Sequence, residues 1–83
     1  MTKLSDAPRF TPLRITSIDT SAHGAISRRL LELGFIPHSI IEVRHEGPIL
    51  SDPIAVLVRG MVVALRRYEA ALIAVDILPE TLR

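Results

Sequence analysis

The chain has 83 residues, no cysteine, and ten basic against nine acidic side chains, which gives a formal net charge of +1. This length suits a single domain with a thin core, and the lack of cysteine excludes disulfides, zinc–thiolate sites and thiol chemistry. A nearly neutral chain is atypical of proteins that bind a nucleic-acid backbone, and no apolar run is long enough to insert into a membrane.

The N-terminal segment, residues 1–12, is polar and contains Pro8 and Pro12. It lacks the apolar core of a signal peptide, so we expect a cytoplasmic protein. This composition predicts a flexible arm over residues 1–12. The folded domain is then expected over residues 13–78, and residues 79–83 are expected to be frayed.

The first half of the domain predicts a strand followed by a helix. LRITSI, residues 13–18, places alternate apolar residues on one face and is typical of a short strand. In AISRRLLELG, Ile26, Leu30 and Leu33 recur at the spacing of one helical stripe. Gly34 follows where a helix end favours a left-handed residue, and Pro37 prevents the helix from continuing.

The second half predicts four more strands. They cover residues 39–46, 54–60, 62–67 and 72–78. GPILSDP, residues 47–53, is typical of a loop, and Gly60 with Met61 predicts a tight hairpin turn. YEAA is long enough for one helical turn only. Five short strands with one helix between strands one and two predict a mostly β protein with a small, partly open barrel.

Hydrophobic residues make up 48% of the chain and the mean hydropathy is +0.36, which is high for so small a domain. Strand alternation predicts these inward residues: Ile54, Val56, Val58, Val63, Leu65, Ile73 and Val75. The same alternation places Ile40, Leu57, Val62 and Leu72 on the outside. Such a surplus indicates a surface that binds a partner or forms a homo-oligomer; a well-filled aliphatic core is the alternative.

The ionisable residues predict no catalytic or metal site. The chain lacks a nucleophile motif, a phosphate-binding glycine loop and paired carboxylates, so we expect that it is not an enzyme. His45 and Glu46 point to opposite faces of a strand and would chelate poorly, and His23 and His38 flank the helix. Glu69 lies at the corner before the last strand, where a hydrogen bond or ion pair is expected and a partner contact is the alternative.

The arginine pairs Arg28–Arg29 and Arg66–Arg67 could line a groove for single-stranded nucleic acid. The chain has only three aromatic residues to interleave with them. We therefore expect one arginine of each pair to pack its stem on the barrel and the other to be solvated, with no nucleic acid bound.

Four segments, RLLELGFIP, IIEV, PIAVLVRG and VVALRRYEAALIAV, together resemble the FeoA family of small cytoplasmic proteins in bacterial ferrous iron uptake. The same domain type occurs at the C-terminus of iron-dependent repressors. The match runs from about Leu13 to Val75, and the order of the segments is more specific than any one of them. The resemblance implies an SH3-like barrel and an accessory role beside the membrane transporter FeoB, which has a cytoplasmic G domain.

The resemblance also identifies structural positions. The family's helix-and-turn segment falls on Arg29, Leu30, Leu33, Gly34 and Pro37, and its corner segment falls on Gly60, Ala64, Leu65, Arg66, Glu69 and Ala70. His38 stands where the family usually has glycine. A turn with positive φ there would strain histidine by about 1 kcal/mol, whereas another turn type would accept it.

Two hypotheses for function follow. The favoured one is an interaction module that binds the cytoplasmic part of FeoB through Ile40, Leu57, Val62 and Leu72 and modulates iron uptake. The alternative is a metal-binding or metal-sensing regulatory domain that is related to the repressor domain. Such a domain would itself bind a divalent metal. We assign no catalytic residue, cofactor or metal ligand.

Overall fold

The computed structural model describes residues 2–21, 24–49 and 52–83. Its strands are β1 (Thr2–Lys3), β2 (Leu13–Ile18), β3 (Ile40–Ile49), β4 (Asp52–Val58), β5 (Met61–Leu65) and β6 (Ile73–Ile77). Helix α1 (Gly24–Leu33) follows β2, and the single turn α2 (Arg67–Ala70) joins β5 to β6. Short 3₁₀ turns cover Leu4–Asp6 and Glu80–Leu82.

Within the described ranges, the strands form one antiparallel sheet in the order β1-β6-β2-β3-β4-β5. The start of β3 pairs with β2, whereas its later part pairs with β4, and register shifts interrupt the β3–β4 ladder. Such bulges bend a strand and let a sheet curl into a barrel. The predicted mostly β fold with one inserted helix is confirmed, with one strand more than expected.

Aliphatic side chains on the inner face form the core. Of the predicted inward residues, Ile54, Val56, Val58, Leu65, Ile73 and Val75 are at most 2% exposed, and Val63 is partly buried against them. From α1, Leu30 is fully buried, and Ile26 and Leu33 pack against the same cluster. The apolar stripe of α1 therefore lies on the barrel core, as its periodicity predicts.

The N-terminal segment differs from the predicted flexible arm. Thr2 and Lys3 pair with Val75 and Ala74 on β6, and Leu4 is only 1% exposed. This segment contains isolated apolar residues without a periodic pattern, so nothing local indicates burial. Leu4 is buried because elements that are distant in sequence pack around it in the folded barrel.

Two connections also differ from expectation. The segment 47–53, predicted as a loop, is mostly strand, because β3 extends to Ile49 and β4 begins at Asp52. At the C-terminus, Leu78 is buried, and the residues after it form an exposed 3₁₀ turn. There the Arg83 side chain donates from Nε to the Leu78 carbonyl.

Helix α1 ends at the predicted glycine. The Gly34 amide donates to the Leu31 carbonyl, and the Phe35 amide donates to the Leu30 carbonyl, each at 3.0 Å. These two bonds, with Gly34 at φ 108°, form a Schellman motif. Leu30 and Phe35, which flank it, are fully buried, so the same turn ends the helix and directs the chain toward β3.

Pro37 and His38 occupy the centre of the next turn. The Ser39 amide donates to the Ile36 carbonyl at 3.1 Å, and His38 has φ 75°. Proline followed by a residue of positive φ is the pattern of a type II turn. Of the two possibilities open for His38, the structure therefore has the strained one.

This geometry predicts that His38→Gly is more stable than His38→Ala by about 1 kcal/mol, because glycine adopts positive φ without steric cost. Both variants lack the imidazole, so the difference between their free energies of unfolding reports the backbone conformation. Urea unfolding monitored by circular dichroism measures it. Equal stabilities would contradict the assigned turn.

Candidate docking surface

Three of the four predicted partner-binding residues lie on one outer face of the sheet. Leu57 pairs with Glu42 on β3 and with Val62 on β5. Ile40 lies two residues before Glu42, and residues at this spacing share a face of a strand. Val62 is 62% exposed and Ile40 49% exposed, whereas Leu57 is partly buried.

Two further apolar residues are exposed near these strands. Met61, 54% exposed, pairs with the buried Val58, so it lies on the opposite face of β5 from Val62. Ile36, 45% exposed, lies between Gly34 and the turn before β3. Gly34 itself lies against the β4–β5 hairpin, because a Cβ built on it would be 2.4 Å from Arg59 Cδ. We call the set Ile40, Leu57 and Val62 the docking face.

Arg59 provides a positive charge beside the docking face. It occupies the two-residue turn of the β4–β5 hairpin with Gly60, and both have positive φ, as a type I′ turn requires. The β3–β4 register, continued from Glu42 and Leu57, brings Ile40 opposite this turn. Arg59 is exposed. The outer face therefore combines apolar side chains with the Glu42–Arg44 ion pair and has a guanidinium at its edge. It suits a partner that presents apolar groups and a carboxylate to Arg59.

Leu72, the fourth predicted residue, lies elsewhere. It lies between α2 and β6, and its carbonyl accepts a hydrogen bond from the Asp19 amide at 2.8 Å. β6 is separated from β4 by β2 and β3 in the sheet. Leu72, predicted on the outside, is instead partly buried against the core, and it lines a pocket of about 510 Å³ that includes no residue of the docking face. The structure therefore does not bring it together with the other three.

Glu69 fixes the position of α1 relative to the barrel corner. Its carboxylate accepts a hydrogen bond from the Arg66 amide at 2.9 Å and forms an ion pair with the Arg29 guanidinium on α1. Burial raises the pKa of Glu69, but the hydrogen bonds from Arg29 and Arg66 and their positive charges outweigh it and lower the pKa below 4.5. Since Glu69 is only 6% exposed, we assign it to this internal contact rather than to a partner.

The described residues do not assemble a metal site. No group of three or more histidine, aspartate or glutamate side chains lies together among residues 2–21, 24–49 and 52–83. His45 contacts the Phe10 ring edge-on, with centroids 6.5 Å apart. The neighbouring Glu46 carboxylate instead lies 3.4 Å from the Arg67 guanidinium. His23, which the sequence placed at the start of α1, lies outside the described residues.

Sequence reasoning missed Arg59 at the edge of this surface. The predicted Gly60–Met61 turn is wrong by one residue, because the turn is Arg59–Gly60 and Met61 begins β5. Arg59 precedes Gly60, and the RG pair between two apolar runs was a usable signal for an exposed hairpin tip.

Among the described residues, no helix is long and apolar enough to cross a bilayer.

Comparisons with known proteins agree with this architecture. A family model described as the FeoA domain matches residues 2–77, whereas the comparison with curated proteins gives no match. A FeoA protein from Chlorobium tepidum is 37% identical, with a TM-score of 0.82 over 94% of this chain and 71% of that chain.

Two further solved structures are informative. FeoA from Stenotrophomonas maltophilia, solved in complex with zinc, is 36% identical with a TM-score of 0.80, over 92% of this chain and 91% of that one. That protein is described as an SH3 domain protein and a candidate ferrous iron transport activating factor. IdeR from T. acidophilum is 22% identical with a TM-score of 0.76, over 92% of this chain and 33% of that one, and shows the shared fold alone. By the family model and by these identities, the chain belongs to the FeoA family.

Proposed function

We propose that this chain is a non-catalytic accessory protein of ferrous iron uptake that acts in the cytoplasm. Its docking face binds the cytoplasmic part of a FeoB-like membrane transporter and thereby modulates transport. The observation that carries the proposal is the convergence of Ile40, Leu57 and Val62 on one outer face, with Val62 62% and Ile40 49% exposed. The description of the S. maltophilia relative as a candidate ferrous iron transport activating factor supports the same role.

The physical basis of binding is burial of this aliphatic surface. Burial of these exposed aliphatic side chains on association stabilises the complex by about 25 cal/mol for each Å² of apolar area removed from water. Arg59 at the edge of the face adds a charge that orients a partner carboxylate. The rigid sheet presents the side chains without prior rearrangement, so little conformational entropy is lost there.

The direct test is isothermal titration calorimetry between this protein and the isolated cytoplasmic domain of the transporter. Ile40→Glu and Val62→Glu are each expected to weaken binding at least about tenfold, because a carboxylate would have to be buried at the centre of the interface. Both side chains point to solvent, so neither change should unfold the barrel.

Ile77→Glu is the matched control. Ile77 is 47% exposed, nearly the same as Ile40, but it lies on β6 and pairs with Leu13. This variant should bind like the wild type. Binding by Ile40→Glu and Val62→Glu at wild-type affinity, with both proteins folded, would refute the docking face. Light scattering of the protein alone tests the other occupant, a second copy of this chain.

A further inference from the structure

The β5 edge of the sheet lacks the features that usually protect a free strand. β5 lies at one end of the strand order and, among the described residues, pairs with β4 alone, without a register shift. Its sequence, MVVAL, contains no charge and no proline. The opposite edge, β1, has two residues, one of them Lys3. Natural sheets shield a free edge by shortness, a charge, a proline or a bulge, so β5 is the edge open to another strand.

Val62 and Ala64 carry the free backbone groups of this edge. The two-residue turn Arg59–Gly60 makes Val58 and Met61 exchange both of their backbone hydrogen bonds. Such pairs alternate along an antiparallel ladder, so the amides and carbonyls of Val62 and Ala64 point away from β4. In the described part of the chain, no other backbone group bonds to them. Both residues are exposed, so a second strand can reach these groups.

We propose that two copies of this chain pair through their β5 edges, antiparallel about a two-fold axis at Val63. In this register Val62 of each copy lies opposite Ala64 of the other. Each such pair exchanges two hydrogen bonds, so every free amide and carbonyl of the edge finds a partner. The pattern of free groups is therefore complementary to itself.

Other positions of the axis leave groups unpaired. An axis at Ala64 would place Val62 opposite Arg66, whose amide already donates to the Glu69 carboxylate at 2.9 Å. An axis at Val62 would place Ala64 opposite Gly60, which lies in the turn with φ 78°. An axis between two residues would set free groups against groups that β4 already uses. The register about Val63 is the one that the backbone favours.

The side chains suit the same register. On the outer face, Val62 lies beside the smaller Ala64 of the second copy. On the inner face, the two Val63 side chains meet at the axis, and each has area left to bury because it is only partly covered by the core. Arg66 lies opposite Gly60 and not opposite another charge, which matters because directly opposed like charges destabilise a strand pair.

Two other arginines near the ends of β5 are directed elsewhere. Arg59 lies against the end of α1, since a Cβ built on Gly34 would be 2.4 Å from Arg59 Cδ. The Arg67 guanidinium lies 3.4 Å from the Glu46 carboxylate and donates to the Ser5 carbonyl. Neither charge therefore faces the second copy.

The proposal goes beyond the docking face and is compatible with it. The two-fold axis of an antiparallel strand pair is perpendicular to the sheet, so the outer faces of both copies lie on the same side. The two docking faces then join into one surface on which Ile40 and Leu57 remain uncovered. Because two short strands form a small contact, we expect a dissociation constant on the order of 100 µM.

Sedimentation equilibrium of the full chain tests the association. Between about 10 µM and 1 mM the wild type should change from mostly monomer to mostly dimer. Ala64→Pro removes an amide that points away from β4, a position where an edge strand tolerates proline, and should raise the dissociation constant at least about tenfold. Ile77→Glu on β6 is the control and should dimerise like the wild type. Circular dichroism checks that each variant is folded.

Single cysteines test the register, because the chain has no cysteine of its own. Val63→Cys places the two sulfurs at the axis, where opposed Cα atoms are about 4.5 Å apart, within reach of a disulfide. Val62→Cys is the matched control. Its side chain is more exposed, but the two copies of this residue are diagonal neighbours at roughly 7–8 Å, beyond disulfide reach. In a glutathione redox buffer, Val63→Cys should form linked dimers at least about tenfold faster.

Several results would overturn the proposal. These are a wild type that stays monomeric over the whole concentration range, equal dimerisation by a folded Ala64→Pro, and linkage of Val62→Cys as fast as that of Val63→Cys. If Ala64→Pro does not fold, the cysteine comparison decides. Loss of the dimer in Ile40→Glu but not in Ala64→Pro would place the second copy on the docking face instead. None of these measurements depends on whether the docking face binds the transporter.

Discussion

Replacing Gly34 by alanine is expected to lower the free energy of unfolding by about 2–3 kcal/mol. Gly34 has φ 108°, a conformation that strains any residue with a Cβ. The new Cβ would also lie 2.4 Å from Arg59 Cδ and 3.3 Å from Val58 Cγ2. The loss should appear as a lower midpoint in urea or thermal unfolding.

Gly60→Ala is the matched control for this prediction. Gly60 also has positive φ, at 78°, but a Cβ built on it meets nothing within 4 Å. This variant should therefore lose only the backbone contribution, about 1 kcal/mol. The difference between the two glycine variants measures the contact between α1 and the β4–β5 hairpin.

A double-mutant cycle then identifies the atoms responsible. Arg59→Ala removes the side chain that the new Cβ would strike, so Gly34→Ala should cost less in that background than in the wild type. An unchanged cost would mean that the backbone conformation or Val58 accounts for the whole effect. The result bears on function because Arg59, which makes this contact, lies at the edge of the docking face.

Removing the carboxylate of Glu69 is the second change with a large expected effect. Glu69→Ala should lower the free energy of unfolding by about 2 kcal/mol, because the Arg66 amide and the Arg29 guanidinium both lose their partner. Glu69→Gln keeps an acceptor for the amide and loses only the charge, so we expect about 1 kcal/mol. Glu42→Gln is the control, since the Glu42 side chain is 22% exposed against 7% for Glu69, and its pair with Arg44 should contribute less than about 1 kcal/mol.

The pH dependence of stability provides an independent measurement. The folded-state pKa of Glu69 lies below the ordinary value of 4.5. The stabilisation is therefore complete above pH 4.5 and is lost as the pH falls through the folded-state pKa. Wild-type and Glu69→Gln proteins should differ in stability at pH 7 and converge in strong acid. A constant difference down to acid pH would contradict the ion pair.

These contacts explain why part of the site could be predicted and part could not. The alternation around Leu57 and Val62 placed both residues on the outer face, because side-chain direction along a strand is a local property. The same alternation placed Leu72 outside, whereas it is partly buried against the core and lies away from the docking face. Which outward residues meet depends on strand order, and strand order is set by pairing between distant segments.

The local pattern of residues was sufficient to identify five of the six strands among the described residues, the amphipathic stripe of α1 and the glycine that ends this helix. Periodicity and turn chemistry act over a few residues, so they can be read along the chain. Tertiary structure alone decided the burial of Leu4, the pairing of Arg29 with Glu69 and the separation of Leu72 from the docking face. Each of these depends on the relative positions of residues far apart in sequence, and the contact energies involved exist only once the sheet has formed around a shared core.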